Sequence, residues 1–243
     1  MPDNLQTDLS VTAEIKLFYD LYFPRENHPV GETPTPLQCN EGNKARPLLI
    51  AVHGYGAHKR YMMREAKLVA GEEFVIASLE APHPHYRPTK DGGYAIGYGW
   101  LSSERAEADV RLHHKFVLDV IDKLDADGFV DREQIFMYGF SQACALNFRF
   151  AFTYPEILKG IVGVCGGIPG DLDTNPIYQP FAAKTFYLYG DDDEFYTQEQ
   201  FAGFNDKLAA TLPNYTSKHY AAKHEITDKM RVDIKDFLKK QFE

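Results

Sequence analysis

The sequence predicts an α/β fold with a mostly parallel central sheet and helices on both faces, and two observations predict it. Continuous apolar runs recur at Pro47–Val52, Phe74–Leu79, Ile135–Tyr138, Ile161–Val164 and Lys184–Gly190, and such runs mark strands buried on both faces. They alternate with segments of helical periodicity, the pattern of repeated β-α units.

Taken in order, Thr12 to Phe23 is dense in apolar and aromatic residues and stops at Pro24, which suits an antiparallel strand or hairpin. Arg25 to Arg46 is rich in Pro, Gly, Asn and Glu and reads as an exposed loop. The strand Pro47–Val52 is followed by His53-Gly54-Tyr55-Gly56. Pro82 to Leu101 carries Tyr86, Tyr94, Tyr98 and Trp100 among several glycines and reads as a long loop, which in a compact domain is usually functional. Ser103 to Asp127 places Ala106, Val110, Val117, Val120, Ile121 and Leu124 on a helical stripe, with Gly128 as its C-cap. Ile135–Tyr138 leads into a second helical stretch, Gln142 to Thr153. The last segment sets Met230, Ile234, Phe237 and Leu238 on one face and ends in Lys239 and Lys240, where a helix dipole favours cations.

Composition narrows the function classes. With 26 Lys and Arg against 35 Asp and Glu, the net charge is −9 and no basic block stands out, which argues against nucleic-acid or anionic-membrane partners. No stretch approaches the roughly 18 uncharged apolar residues of a membrane span. The odd cysteine count, Cys39, Cys144 and Cys165, and an opening Met1-Pro2-Asp3-Asn4 without basic or apolar regions point to a reducing cytoplasm. Cys144 and Cys165 sit in apolar surroundings and read as inert core residues, with Cys39 in a loop.

The chemistry concentrates in three segments. Gly139-Phe140-Ser141-Gln142-Ala143 sits between a strand and a helix, the context in which a sharp turn exposes a serine hydroxyl; Ala143 departs from the G-x-S-x-G pattern by one methyl. Next in sequence, the strand run ending at Gly190 opens into Asp191-Asp192-Asp193-Glu194. Last, Tyr220-Ala221-Ala222-Lys223-His224-Glu225-Ile226 leads into the C-terminal segment. A serine hydroxyl needs an imidazole to take its proton and return it to the leaving group, and a carboxylate to fix that imidazole's tautomer. Ser141, His224 and Asp193 fit these roles, with Asp191 and Asp192 as rival acids and His53 as the rival histidine.

These segments resemble the phospholipase/carboxylesterase family of α/β-hydrolases, which includes acyl-protein thioesterase-like enzymes, from about Pro47 to Phe242. The anchors are Val52-His53-Gly54-Tyr55-Gly56, Asp131 to Gln142 with its Gly-Phe-Ser-Gln run, Gly166-Gly167-Ile168-Pro169, Gly190 to Asp193 and His224-Glu225-Ile226. The resemblance implies an α/β-hydrolase fold and, by the family's His-Gly-x-x-Asp pattern, Asp193 as the acid, with Tyr189 where the family has histidine. Phe195 and Tyr196 depart from the family's Val-Pro. It also implies an oxyanion hole of two backbone amides, Gln142 and Tyr55, since developing negative charge needs donors fixed beforehand. Phe140, Ile168 and Phe195 are implied as apolar lining, and the 82–101 segment with Trp100 is expected to border the acyl or alcohol pocket.

Other signals are weaker. Gly54-Tyr55-Gly56 is no dinucleotide fingerprint, because Lys59 holds the third glycine position. His83, His85, His113 and His114 lack carboxylates or cysteines at metal spacing and read as surface or loop histidines. The expectation is one α/β-hydrolase domain over 1–243, with amino-terminal strands and loop in 1–46 and the catalytic core in 47–243. Its activity is that of a serine hydrolase cleaving carboxylic esters through an acyl-enzyme, with a small ester or thioester as substrate and no cofactor or metal. The alternatives are a thioesterase, peptidase or lyase using the same triad, or a non-catalytic binding protein on the same fold.

Overall fold

The computed structural model describes residues 6–7, 9–24 and 45–241. In chain order its elements are β1 (Tyr19–Tyr22), β2 (Arg46–Val52), α1 (Lys59–Ala70), β3 (Val75–Leu79), β4 (His83–Pro88), β5 (Tyr94–Gly99), α2 (Ala106–Ala126), β6 (Val130–Phe140), α3 (Gln142–Thr153), β7 (Gly160–Val164), β8 (Lys184–Gly190), α4 (Gln198–Thr211), β9 (Tyr215–Tyr220) and α5 (Asp228–Lys239).

Seven strands form one sheet in the order β1-β3-β2-β6-β7-β8-β9. All neighbours run parallel except β1, which is antiparallel to β3. This is the mostly parallel α/β architecture that the apolar runs predict. Because side chains alternate along a strand, β2 sends Leu48, Ile50 and Val52 into a core shared with α2, α3 and α4, and Leu49 and Ala51 into a core shared with α1 and α5. Helices therefore cover both faces, and β2, β6, β7, β8 and β9 all deliver their carboxyl ends to one edge.

The helices end where local chemistry stops them. Beyond α2, Gly128 takes φ +73, and the Gly128 and Phe129 amides donate to the Asp125 and Leu124 carbonyls, a glycine C-cap. Thr227 caps α5 by accepting from the Met230 amide, and Met230, Ile234 and Leu238 are buried beneath it. α1 buries Met62, Ala66, Val69 and Ala70 at helical spacing between charged residues.

Two expectations need correcting here, and a third lies largely beyond the described residues. The strand expected over Thr12–Phe23 is confined to Tyr19–Tyr22, because β3 ends at Leu79, opposite Tyr19, and offers no strand partner to the residues before it. Most of the expected 25–46 loop, with Cys39, lies outside the described residues. The 82–101 segment is a β-hairpin: β4 and β5 pair antiparallel from His83↔Gly99 to Pro88↔Tyr94, with Gly92 at φ +82 in the turn. Pro84 and Pro88 sit on β4, an edge strand, where a missing N–H is tolerated. Among the described residues no helix is long and apolar enough to cross a membrane.

His113 and His114, read as surface residues, are instead buried on the inner stripe of α2. Neither ring nitrogen of His113 has a hydrogen-bond partner among the described residues. Burial pushes His114 down to about 4 and His113 well below the ordinary histidine range, and His53 likewise falls to about 4. In the unfolded chain these imidazoles protonate near pH 6.5, whereas in the folded chain His53 and His114 protonate only near 4 and His113 well below its ordinary range, so over that interval the unfolded state binds more protons. Stability is expected to be full above about pH 7 and to fall with pH below 6.5, by up to about 1.4 kcal/mol per pH unit for each histidine. Urea unfolding midpoints at pH 7.5 and pH 5 check this; equal midpoints would contradict it.

Candidate active site

The elbow that carries the candidate nucleophile forms where β6 meets α3. Ser141 sits between them at φ +57, ψ −120, a left-handed conformation that an L-residue holds only when its surroundings impose it. Its amide donates to the Val164 carbonyl of β7 at 2.8 Å, and its carbonyl accepts from the Cys144 amide at 2.9 Å. The methyl of Ala143 fits because position 139 is glycine: a Cβ there would lie 3.3 Å from the Ala143 Cβ.

Asp193 follows β8 and His224 follows β9, so adjacent parallel strands bring both to the elbow. His224 Nε2 lies 2.8 Å from Ser141 Oγ, and His224 Nδ1 lies 2.8 Å from Asp193 Oδ2. The Asp193 carboxylate is fully buried. Its other oxygen accepts from the Phe195 amide at 2.8 Å and the Tyr196 amide at 3.1 Å. Nδ1–H therefore donates to the acid, and Nε2 is left to accept from the serine hydroxyl. Such a line can take the proton of Ser141 as the oxygen attacks a carbonyl and return it to a leaving group.

The rivals are engaged elsewhere. Asp191 pairs with His219 Nδ1 at 2.8 Å, and Asp192 is exposed. His53 lies buried, its Nδ1–H donating to the Gly54 carbonyl at 2.8 Å and its Nε2 accepting from the Ala81 amide at 3.1 Å. With both ring nitrogens on backbone groups and its basicity suppressed by burial, it holds the loop after β2 in place.

The profile of the Phospholipase/Carboxylesterase family matches residues 37–242. The chain belongs to that family. One relative is NocK of Nocardia uniformis subsp. tsuyamanensis, provisionally named an esterase. It is 26% identical over 214 residues, covering 75% of this chain and 55% of NocK, so the chain spans little more than half of that relative's length. Among solved structures, the Bacillus cereus carboxylesterase superposes with a TM-score of 0.67 at 17% identity, over 93% of this chain and 95% of its own. Zea mays acyl-protein thioesterase 2 gives 0.61 at 15% identity, over 84% and 97%. At these identities the two structures share the fold.

Two residues implied by the phospholipase/carboxylesterase resemblance as oxyanion donors flank the serine. Gln142 is the first residue of α3, so its amide is one of the helix N-terminal donors without an intrahelical acceptor. Tyr55 follows Gly54, where a Cβ would lie 3.0 Å from the Ser141 Cβ and 3.2 Å from the Phe140 carbonyl; only a glycine lets this loop pass so close to the elbow. Of the implied lining residues, the rings of Phe140 and Phe195 stand 5.0 and 4.6 Å from that of His224. Phe195 is 74% exposed, whereas Ile168 is buried at 8%.

Trp100 departs from the expectation that it borders the pocket. It is 0% exposed, its indole N–H donating to the His53 carbonyl at 2.8 Å and its amide to Gln142 Oε1 at 3.0 Å. Buried this way it supports the two loops of the site from below. His83 forms a clasp with Asp109, whose other oxygen accepts from Ser102. Among the described residues no cluster of His, Cys, Asp or Glu could hold a metal ion.

Sequence reasoning missed Glu194. Its carboxylate accepts the His224 amide at 2.9 Å, tying the acid loop to the histidine loop, and that bond holds it below its ordinary range. Its place in an acidic run was the only signal, and nothing in it distinguishes the residue from its neighbours.

Proposed function

We propose that this member of the phospholipase/carboxylesterase family is a serine hydrolase that cleaves carboxylic esters through an acyl-enzyme. The observation that carries the reading is the unbroken line from Asp193 through His224 to Ser141, with 2.8 Å at each step and the serine held at φ +57. Ser141 Oγ attacks the ester carbonyl as His224 Nε2 takes its proton. The oxyanion forms against the Gln142 and Tyr55 amides, preorganised donors of a kind whose single loss costs roughly 100- to 1000-fold in turnover. His224 then protonates the departing alcohol, and water repeats the sequence to release the acid.

Phe140, Phe195 and the half-buried Tyr196 surround His224, which supports an ester with an apolar group on that side. Thioesters are attacked by the same route. The whole of 1–243 is read as one domain, and the free, buried thiols of Cys144 and Cys165 support a reducing compartment such as the cytoplasm. Burial pushes Cys165 up to about 12 and Cys144 higher still, so neither is a competing nucleophile.

A fluorophosphonate probe tests the reading without a guess about substrate. The folded protein is expected to gain the mass of a single adduct, mapped to the peptide bearing Ser141. A protein that stays unlabelled would favour a binding protein on the same fold.

A further inference from the structure

The geometry points to Gly97–Trp100, the end of β5 and the residue after it, as the template that sets both oxyanion donors; this inference rests on the esterase reading above. One edge of β5 pairs with β4. Its other edge pairs with the loop after β2: the Gly56 amide donates to the Tyr98 carbonyl at 2.9 Å and the Tyr98 amide to the Ala57 carbonyl at 3.0 Å. The loop that carries Tyr55 is thus a short third strand of the hairpin, and its position is the hairpin's position.

The glycines of β5 make this contact possible. A Cβ at Gly97 would lie 2.6 Å from the Gly56 carbonyl oxygen and 2.9 Å from its Cα, distances that real Cβ atoms do not reach. A Cβ at Gly99 would lie 3.1 Å from the Tyr55 ring. That ring stacks on His85 at 4.6 Å and 11°, and His85 is the cross-strand partner of Gly97. Tyr55 therefore lies on the hairpin face that the two glycines leave open, against Gly99 and the His85 imidazole, with its outer side exposed.

The next residue reaches the second donor. Trp100 binds the His53 carbonyl through its indole and the Gln142 side chain through its amide. Four consecutive residues thus hold the backbone of the loop after β2 on one side and the Gln142 side chain on the other. A reacting geometry displaced by about 1 Å costs on the order of 100-fold. Gly97, Gly99, Trp100 and the side chain of Gln142 are positioning residues on this reading; none touches substrate.

Two variants test it, Gly97→Ala and Gln142→Met. Gly97 itself is not in the left-handed region, so alanine suits its backbone and acts only by displacing Gly56. Methionine at 142 keeps the oxyanion amide and the helix and removes the acceptor for the Trp100 N–H. Fluorophosphonate titration counts folded active sites, p-nitrophenyl acetate gives kcat and KM per site, and phenylboronic acid gives affinity for a tetrahedral anion. That anion forms as Ser141 Oγ adds to boron and His224 takes the proton.

Gly97→Ala is expected to lose about 100-fold in kcat and Gln142→Met about 10-fold, with KM within threefold and boronic acid affinity falling in parallel with kcat. A merely structural role would lower the titre and leave both values per site unchanged. That outcome, or kcat within threefold of wild type for either folded variant, overturns the inference. If Gly97→Ala yields no titratable sites, Gln142→Met decides alone. Wild type that takes no fluorophosphonate sinks the esterase reading and this inference with it.

Discussion

Replacing Ser141 with alanine is expected to lower ester turnover by about 10⁴- to 10⁶-fold while leaving the fold intact. The argument rests on what the side chain touches. Among the described residues its hydroxyl bonds His224 Nε2, so it does little for stability beyond that contact, whereas without it no acyl-enzyme forms. The backbone at φ +57 remains strained with alanine, at a cost of about 1–3 kcal/mol that serine already bears. Ser141→Gly should be as inactive as the alanine variant and more stable, because glycine occupies the left-handed region without penalty. Turnover of p-nitrophenyl acetate and urea midpoints for the two variants check both halves. Activity within 100-fold of wild type in Ser141→Ala would remove the serine from its assigned role, and a glycine variant less stable than alanine would contradict the strain argument.

Asp193→Asn is expected to reduce kcat by about 10⁴-fold, whereas Asp191→Asn and Asp192→Asn should stay within about threefold of wild type. Asp193 Oδ2 accepts the Nδ1 proton of His224, while Oδ1 is held by the Phe195 and Tyr196 amides. Those two amides require an oxygen at Oδ1, so an asparagine presents its NH₂ group to His224 and drives the ring to the tautomer whose Nε2 carries the proton. Nε2 then has no lone pair for the serine. Asp191 binds the exposed His219 on β9 through its side chain, and Asp192 is exposed. Steady-state kinetics on the three variants decide the assignment. Equal losses would mean that the whole loop, rather than one carboxylate, orients the histidine.

Much of the site was legible because its signals are local. The strand that ends at Phe140 and the helix that begins at Gln142 are written in consecutive residues, and so is the turn at Ser141 between them. The acid and the histidine each follow a strand, which is why chain order alone brought Asp193 and His224 forward. The choice among Asp191, Asp192 and Asp193 needed the resemblance, since three adjacent carboxylates carry the same local information. The hairpin was not legible. Glycines and prolines in His83–Gly99 weaken the period-2 signal of a strand, and the reason for Gly97 and Gly99 lies in a backbone some forty residues away in sequence. α1 carried an apolar stripe at Met62, Ala66 and Val69 that periodicity could have found, whereas β9 is polar because it is an edge strand.

By itself, the sequence determined the α/β class, the parallel strands and the order of the three candidate catalytic residues, because strand burial and turn chemistry depend on neighbours along the chain. Only the tertiary structure decided that Trp100 and His113 are interior, that Glu194 fastens the histidine loop, and that the hairpin end shapes the loop bearing Tyr55. Those roles depend on which surfaces meet when the sheet is assembled, and an aromatic or glycine looks the same in a sequence whether it faces solvent, a pocket or another backbone.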